Sequence, residues 1–141
     1  MSARPSFAYD VYEDECPTRL VLGRLADKWA LLILDRLRDG PMRFSALKRD
    51  IKRITQKVLT QTLRKLERDG LISRTVTATS VPVTVEYALT PLGDTLTDTI
   101  ATFAHWAERH MDAVLAAQAA FDAAAQASRE AVAGSVVHRL R

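Results

Sequence analysis

Along residues 55–70, TQKVLTQTLRKLERDG, apolar and polar positions recur with helical spacing. At about 100° per residue, Leu59, Leu63 and Leu66 fall on one side and Lys57, Thr60, Gln61, Arg64 and Arg68 on the other. Thr55 is suited to cap the first turn and Gly70 to end the last in a left-handed conformation. Upstream, Pro17 opens a helix to about Ala26 at the first helical position, where its missing N–H costs nothing. Asp27 then caps a helix from Lys28 to about Arg38. Its Trp29, Leu31, Leu32, Ile33, Leu34 and Leu37 are apolar nearly all round, which predicts the centre of the core. Asp39-Gly40-Pro41 breaks it. Ser45 is expected to cap a brief helix carrying Leu47 and Ile51, with Lys52-Arg53-Ile54 as the link to residues 55–70. Two helices so joined, the second basic outside, predict a helix-turn-helix.

The period then changes to two. Ile72, Val76 and Ala78 alternate with polar residues, as do Val83, Val85, Tyr87 and Leu89, which predicts a half-buried hairpin turning over residues 79–82. Thr90-Pro91 starts another helix with a seam of Leu92, Leu96, Ile100, Phe103, Ala107, Met111 and Val114. This seam is longer than so small a domain needs. Leu96, Ile100, Phe103, Trp106, Ala107 and Met111 are therefore expected to form a dimer interface. The expected class is mainly α with a small antiparallel β-hairpin, a winged helix-turn-helix with terminal dimerisation helices. Residues 1–15 read as a mobile arm, 16–112 as the winged domain with its dimer helix, and 113–141 as an alanine-rich helical extension fraying after about Ser128.

Composition fits a single domain of 141 residues, 48% of them hydrophobic. The longest apolar run, Trp29 to Leu34, is too short for a membrane span, and the N-terminus lacks the pattern of a secretory signal. A cytoplasmic protein without membrane partners is expected. One cysteine, Cys16, rules out an intrachain disulfide. Charge changes the picture more. Residues 43–74 hold ten basic side chains against three acidic ones, a net +7, so the whole-chain value of +3 leaves −4 elsewhere. Such concentration is the footprint of a nucleic-acid-binding surface, because each neutralised phosphate releases counterions. Arg pairs with guanine edges, Gln with adenine edges and Lys with phosphates. The expected double-stranded DNA contacts are Arg43, Lys48, Lys52, Arg53, Thr55, Gln56, Lys57, Thr60, Gln61, Arg64 and Arg68. A solvated charged face, or one docked on an acidic protein, stays open from the pattern of this helix alone.

Other motifs carry less. Five scattered glycines offer no phosphate-cradling loop, and no catalytic residue or cofactor is expected. His105, Glu108 and His110 lie close in sequence, but His110 is turned away from the other two, and no metal is expected. Trp29, Phe103 and Trp106 could line an aromatic effector pocket, although plain core accounts for them too. At Cys16 the unpaired N–H groups of a helix start, with Arg19 one turn on, favour thiolate. Asp14 and Glu15 oppose it, and an inert buried thiol is the alternative.

Taken together, several stretches resemble the HxlR-type regulators, bacterial winged-helix proteins related to the MarR group. The matching pieces are Cys16-Pro17, Asp27-Lys28-Trp29 with Leu31-Leu32-Ile33-Leu34, and Asp39-Gly40-Pro41 with Arg43-Phe44. Further on come Lys57-Val58-Leu59-Thr60-Gln61 with Leu63-Arg64 and Leu66-Glu67, then Asp69-Gly70-Leu71-Ile72, and finally the run from Glu86-Tyr87 through Thr90-Pro91-Leu92-Gly93. The resemblance implies a homodimeric transcription factor, a repressor, whose recognition helices enter successive major grooves and which lies on the nucleoid when bound. It also implies sensing of an oxidant or electrophile through Cys16, with a small aromatic effector as the alternative. Two departures stand out. The wing, residues 77–84, has no Arg or Lys where family wings often carry one, and the alanine-rich tail extends past the usual family core.

Overall fold

The computed structural model describes residues 8–79 and 81–139. The chain runs α1 (Pro17–Leu25), α2 (Lys28–Leu37), β1 (Met42–Arg43), α3 (Phe44–Asp50), α4 (Gln56–Arg68), β2 (Ile72–Thr77), β3 (Thr84–Leu89), α5 (Pro91–Asp94) and α6 (Thr97–Arg139). It divides between Ala101 and Thr102 into two compact units. Residues 1–7 of the expected arm lie outside the described residues; Glu13 N–H and Cys16 N–H close turns onto the Asp10 and Glu13 carbonyls ahead of α1.

In the first unit α2 starts as its sequence predicts, the Asp27 carboxylate accepting from the backbone N–H groups of Trp29 and Ala30. It is less enclosed than its composition suggests. Ala30, Ile33, Leu34 and Leu37, spaced i, i+3, i+4 and i+7, are buried, whereas Leu32 stands 46% exposed. A ten-residue helix needs one stripe to join the core, and Leu32 lies off it.

The wing differs from expectation by one strand. Met42 and Arg43 pair antiparallel with Tyr87 and Glu86, so the sheet has three strands in the order β1-β3-β2. Two residues are too few to display an alternation. The strand also moves the start of α3. Arg43 leaves β1 with extended φ and ψ and is itself the N-cap, without a side-chain bond, so Ser45 sits inside the helix and does not cap it. In the hairpin Ile72 pairs with Leu89 and Val76 with Val85. Burial is concentrated at Ile72 and Tyr87, while Val76 and Val83 are largely exposed, so the hairpin is buried at its base only.

Beyond β3 the expected continuous helix is interrupted. Thr90 caps α5 by accepting from Gly93 N–H, but the hydroxyls of Thr95 and Thr97 donate to the Leu92 and Asp94 carbonyls, and α6 starts at Thr97. Such local bonds compete with the helical ladder. Leu92, on α5, is 55% exposed, whereas Leu96 and Ile100, expected at a dimer interface, pack on the first unit's core. Gly93 is required here, since a Cβ would lie 2.0 Å from the Leu71 carbonyl oxygen. In the second unit α6 stays helical through Arg139, without the fraying expected after Ser128. Its Phe103, Trp106, Met111, Leu115 and Phe121 are exposed in the single chain.

Candidate nucleic-acid interface

The candidate interface is built on α4, and its placement begins with the core. Leu59, Leu63 and Leu66 are at most 1% exposed. Their burial is worth about 1.5–3 kcal/mol each. The Thr55 hydroxyl accepts from Val58 N–H at 3.1 Å, a cap worth about 1 kcal/mol. The leucine face therefore fixes which way α4 turns, and the cap fixes where it starts. At the other end Gly70 adopts φ 77°, the left-handed region open to glycine. The Leu71 N–H reaches the Leu66 carbonyl at 3.0 Å, and Thr90 donates its hydroxyl to the Gly70 carbonyl at 2.5 Å, tying the helix end to the sheet.

Opposite the leucines, Gln56, Lys57, Gln61, Arg64 and Arg68 are exposed and Thr60 is half-buried. Thr60 spends its hydroxyl proton on the Gln56 carbonyl at 2.8 Å, which leaves its methyl group and oxygen lone pairs for an outside partner. Among the described residues, the side chains of Lys57, Gln61, Arg64 and Arg68 make no hydrogen bond or ion pair within the chain. Lys48, Lys52 and Arg53 are exposed on α3 and the turn, and Arg43 on β1. Thr55 differs from the rest of the predicted set, because its oxygen is committed to the cap.

Two features of the turn escape sequence reasoning. Arg53 has φ 69°, left-handed for a residue with a Cβ, and is held there between Ile51 and Ile54, both 4% exposed. Two buried isoleucines three apart are the sequence sign of that tight corner. Asp50, at the end of α3, accepts from Arg36 on α2 and from Arg49 at 3.3 Å, and chiefly the Arg36 hydrogen bond holds its carboxyl below the usual range. This single carboxylate is shared by Arg36, outside the basic segment, and Arg49, inside it, so the Arg49 side chain is engaged within the protein.

Cys16 is the N-cap of α1 and partly exposed. Its thiol pKa is lowered, first by the Thr18 hydroxyl 3.0 Å from Sγ, then by the Thr18 backbone and, less, by the Asp10 backbone, while desolvation and, least of all, the Asp10 charge act against them. The opposing charge is thus Asp10, in place of the expected Asp14 and Glu15, because the turns before α1 bring Asp10 back to the sulfur. Arg19 does not contribute to that lowering. Trp29, considered for a pocket, is partly buried on the core with Lys28 Nζ 4.6 Å above its ring. In the second unit His110 stacks on Trp106 at 4.8 Å and its Nδ1 lies 2.8 Å from the Trp106 carbonyl oxygen.

Residues 24–114 match the HxlR-like helix-turn-helix family. YtfH of Escherichia coli (strain K12), an uncharacterized HTH-type transcriptional regulator, is 41% identical over 107 residues, 76% of this chain and 84% of its own. A solved structure of YtfH from Salmonella typhimurium superposes with a TM-score of 0.73 at 41% identity, covering 78% of this chain and 97% of that one. The redox regulator HypR in its oxidized form superposes with a TM-score of 0.61 at 37% identity, covering 67% of this chain and 96% of its own.

Proposed function

The chain belongs to the HxlR-like helix-turn-helix family and is a transcriptional regulator of the helix-turn-helix type; from that premise we propose that it is a homodimeric repressor whose α4 enters the major groove of duplex DNA. The observation that carries this is the outer face of α4. Gln61 and Arg64, of base-reading type, stand exposed between Lys57 and Arg68, of phosphate-holding type. Lys48, Lys52 and Arg53 extend the phosphate contacts, and Arg43 approaches the backbone from the sheet. The dimer is supported by the apolar side chains of Phe103, Trp106 and Met111, between 44% and 61% exposed in a single chain. Two recognition helices in successive grooves must be spaced by about one DNA turn, so the dimer sets the operator spacing. Selection from a random duplex library tests it: a two-fold symmetric site with half-sites about one turn apart is expected, and absence of any enriched sequence removes the DNA-reading role.

A redox input through Cys16 is supported by its lowered pKa and partial exposure, since the thiolate is the reactive form. HypR, a redox regulator, adds weight. With one cysteine per chain, oxidation ends as a sulfenic acid, a mixed disulfide with a small thiol, or a bridge between two subunits. Peroxide is expected to change the DNA affinity of the wild type reversibly with dithiothreitol and to leave Cys16→Ser unchanged. Equal responses from the two proteins would return Cys16 to a packing role.

A further inference from the structure

Helix α1 is loosely held. None of its side chains is buried, and a cleft of about 250 Å³ lies between it and α4, with Leu20 and Gly23 on one wall and Thr62 and Lys65 on the other. Across that gap runs one ion pair. Arg24, in the last turn of α1, donates through Nη1 to Oδ1 of Asp69, the C-cap of α4. Among the described residues it is the hydrogen-bonded link between the two helices.

The acid is badly placed for local reasons. A carboxylate at a helix C-terminus faces the negative end of the helix dipole. Its side chain is 13% exposed, and Oδ2 is buried without a hydrogen-bond partner. A group that costs its own helix stability and leaves an oxygen unpaired is held by the ion pair to Arg24, which ties the end of α4 to α1. Cys16 caps the opposite end of the same nine-residue helix, about 12 Å away along its axis.

From this arrangement we infer that Arg24 and Asp69 are positioning residues which transmit a displacement of α1, set by the chemical state of Cys16, to the recognition helix α4. This rests on the DNA-reading and Cys16 roles given above. A thiol adduct replaces the thiolate that the Thr18 hydroxyl faces and so weakens that contact at the start of α1. With no buried side chain of its own the helix shifts as a rod, and the ion pair carries the shift to the C-cap of α4, next to Arg68.

The test uses the full chain and an aromatic disulfide reagent. The Cys16 thiolate attacks one sulfur of the reagent, the reagent's S–S bond breaks, a mixed disulfide forms on Cys16, and one coloured aromatic thiolate leaves, which reports the extent of reaction. Affinity for the selected duplex is measured before and after modification in wild type, Arg24→Leu, Asp69→Asn and the exchange Arg24→Asp with Asp69→Arg. The ratio of the two affinities should fall about threefold or more in each single variant at equal thiolate release, and return in the exchange. A ratio unchanged in the single variants, with wild type responding, overturns the relay and leaves the sensing role standing. A wild type that binds the duplex but does not respond removes both, and failure of the reduced protein to bind any duplex removes the DNA role itself. Asp69→Asn is nearly isosteric, and its far-ultraviolet circular dichroism shows that lost coupling is not lost folding.

Discussion

Asp50, at the end of α3, ties that helix to α2 through its bond to Arg36. Its pKa is lowered by Arg36 first and by Arg49 as well, so its charged form is favoured in the folded state. A group with a depressed folded pKa contributes stability that is present above its unfolded value, about 3.9, and is lost as pH falls through the folded value. Wild-type protein should therefore lose stability on acidification below about pH 4, and Asp50→Asn should flatten that dependence in urea unfolding followed from neutral to acid pH. Identical acid slopes in the two proteins would show that the Arg36 contact is not felt in solution. Neither this pair nor Arg24 with Asp69 was legible in the sequence. Their partners are 14 and 45 positions apart, and no local pattern joins them. The exposed side chains of Gln61 and Arg64, proposed to read bases, were legible, because helical period alone sets them opposite Leu59 and Leu63.

At the scale of elements, what could be read locally was read and what depends on distant backbone was not. The ends of α4 follow from Thr55 and Gly70, and α2 from Asp27, since caps act within one turn. Strand β1 takes its pairing from β3 beside it, and the break between α5 and α6 lies where two threonine hydroxyls bond backward to carbonyls. Gly93 joins the two kinds of information. Its place in the family motif was visible, but the reason is the Leu71 carbonyl against it. Gly93→Ala should cost about 1–3 kcal/mol, because backbone cannot retreat as a flexible side chain can. Thermal unfolding checks this, and an unchanged midpoint would mean that the α5 turn swings aside without loss.

At the scale of the whole molecule, charge and apolar surface are divided along the chain. The basic excess lies in residues 43–74 and the uncovered apolar seam in the second unit, at Phe103, Trp106 and Met111. Since Phe103 is 61% exposed in one chain, Phe103→Asp should leave the winged domain folded and shift sedimentation to the monomer. A dimer of unchanged stability would put the interface elsewhere. The measurement that bears most directly on the central claim is the salt dependence of duplex binding by wild type, Arg64→Ala and Lys52→Ala, on the selected site and on random sequence. Arg64→Ala should lose about 1–3 kcal/mol on the selected site and little on random DNA, while Lys52→Ala should weaken both alike and reduce the salt slope by about one. Equal loss on both duplexes for Arg64→Ala, or binding of wild type that does not respond to salt, would contradict an α4 that reads bases from within a phosphate-holding surround.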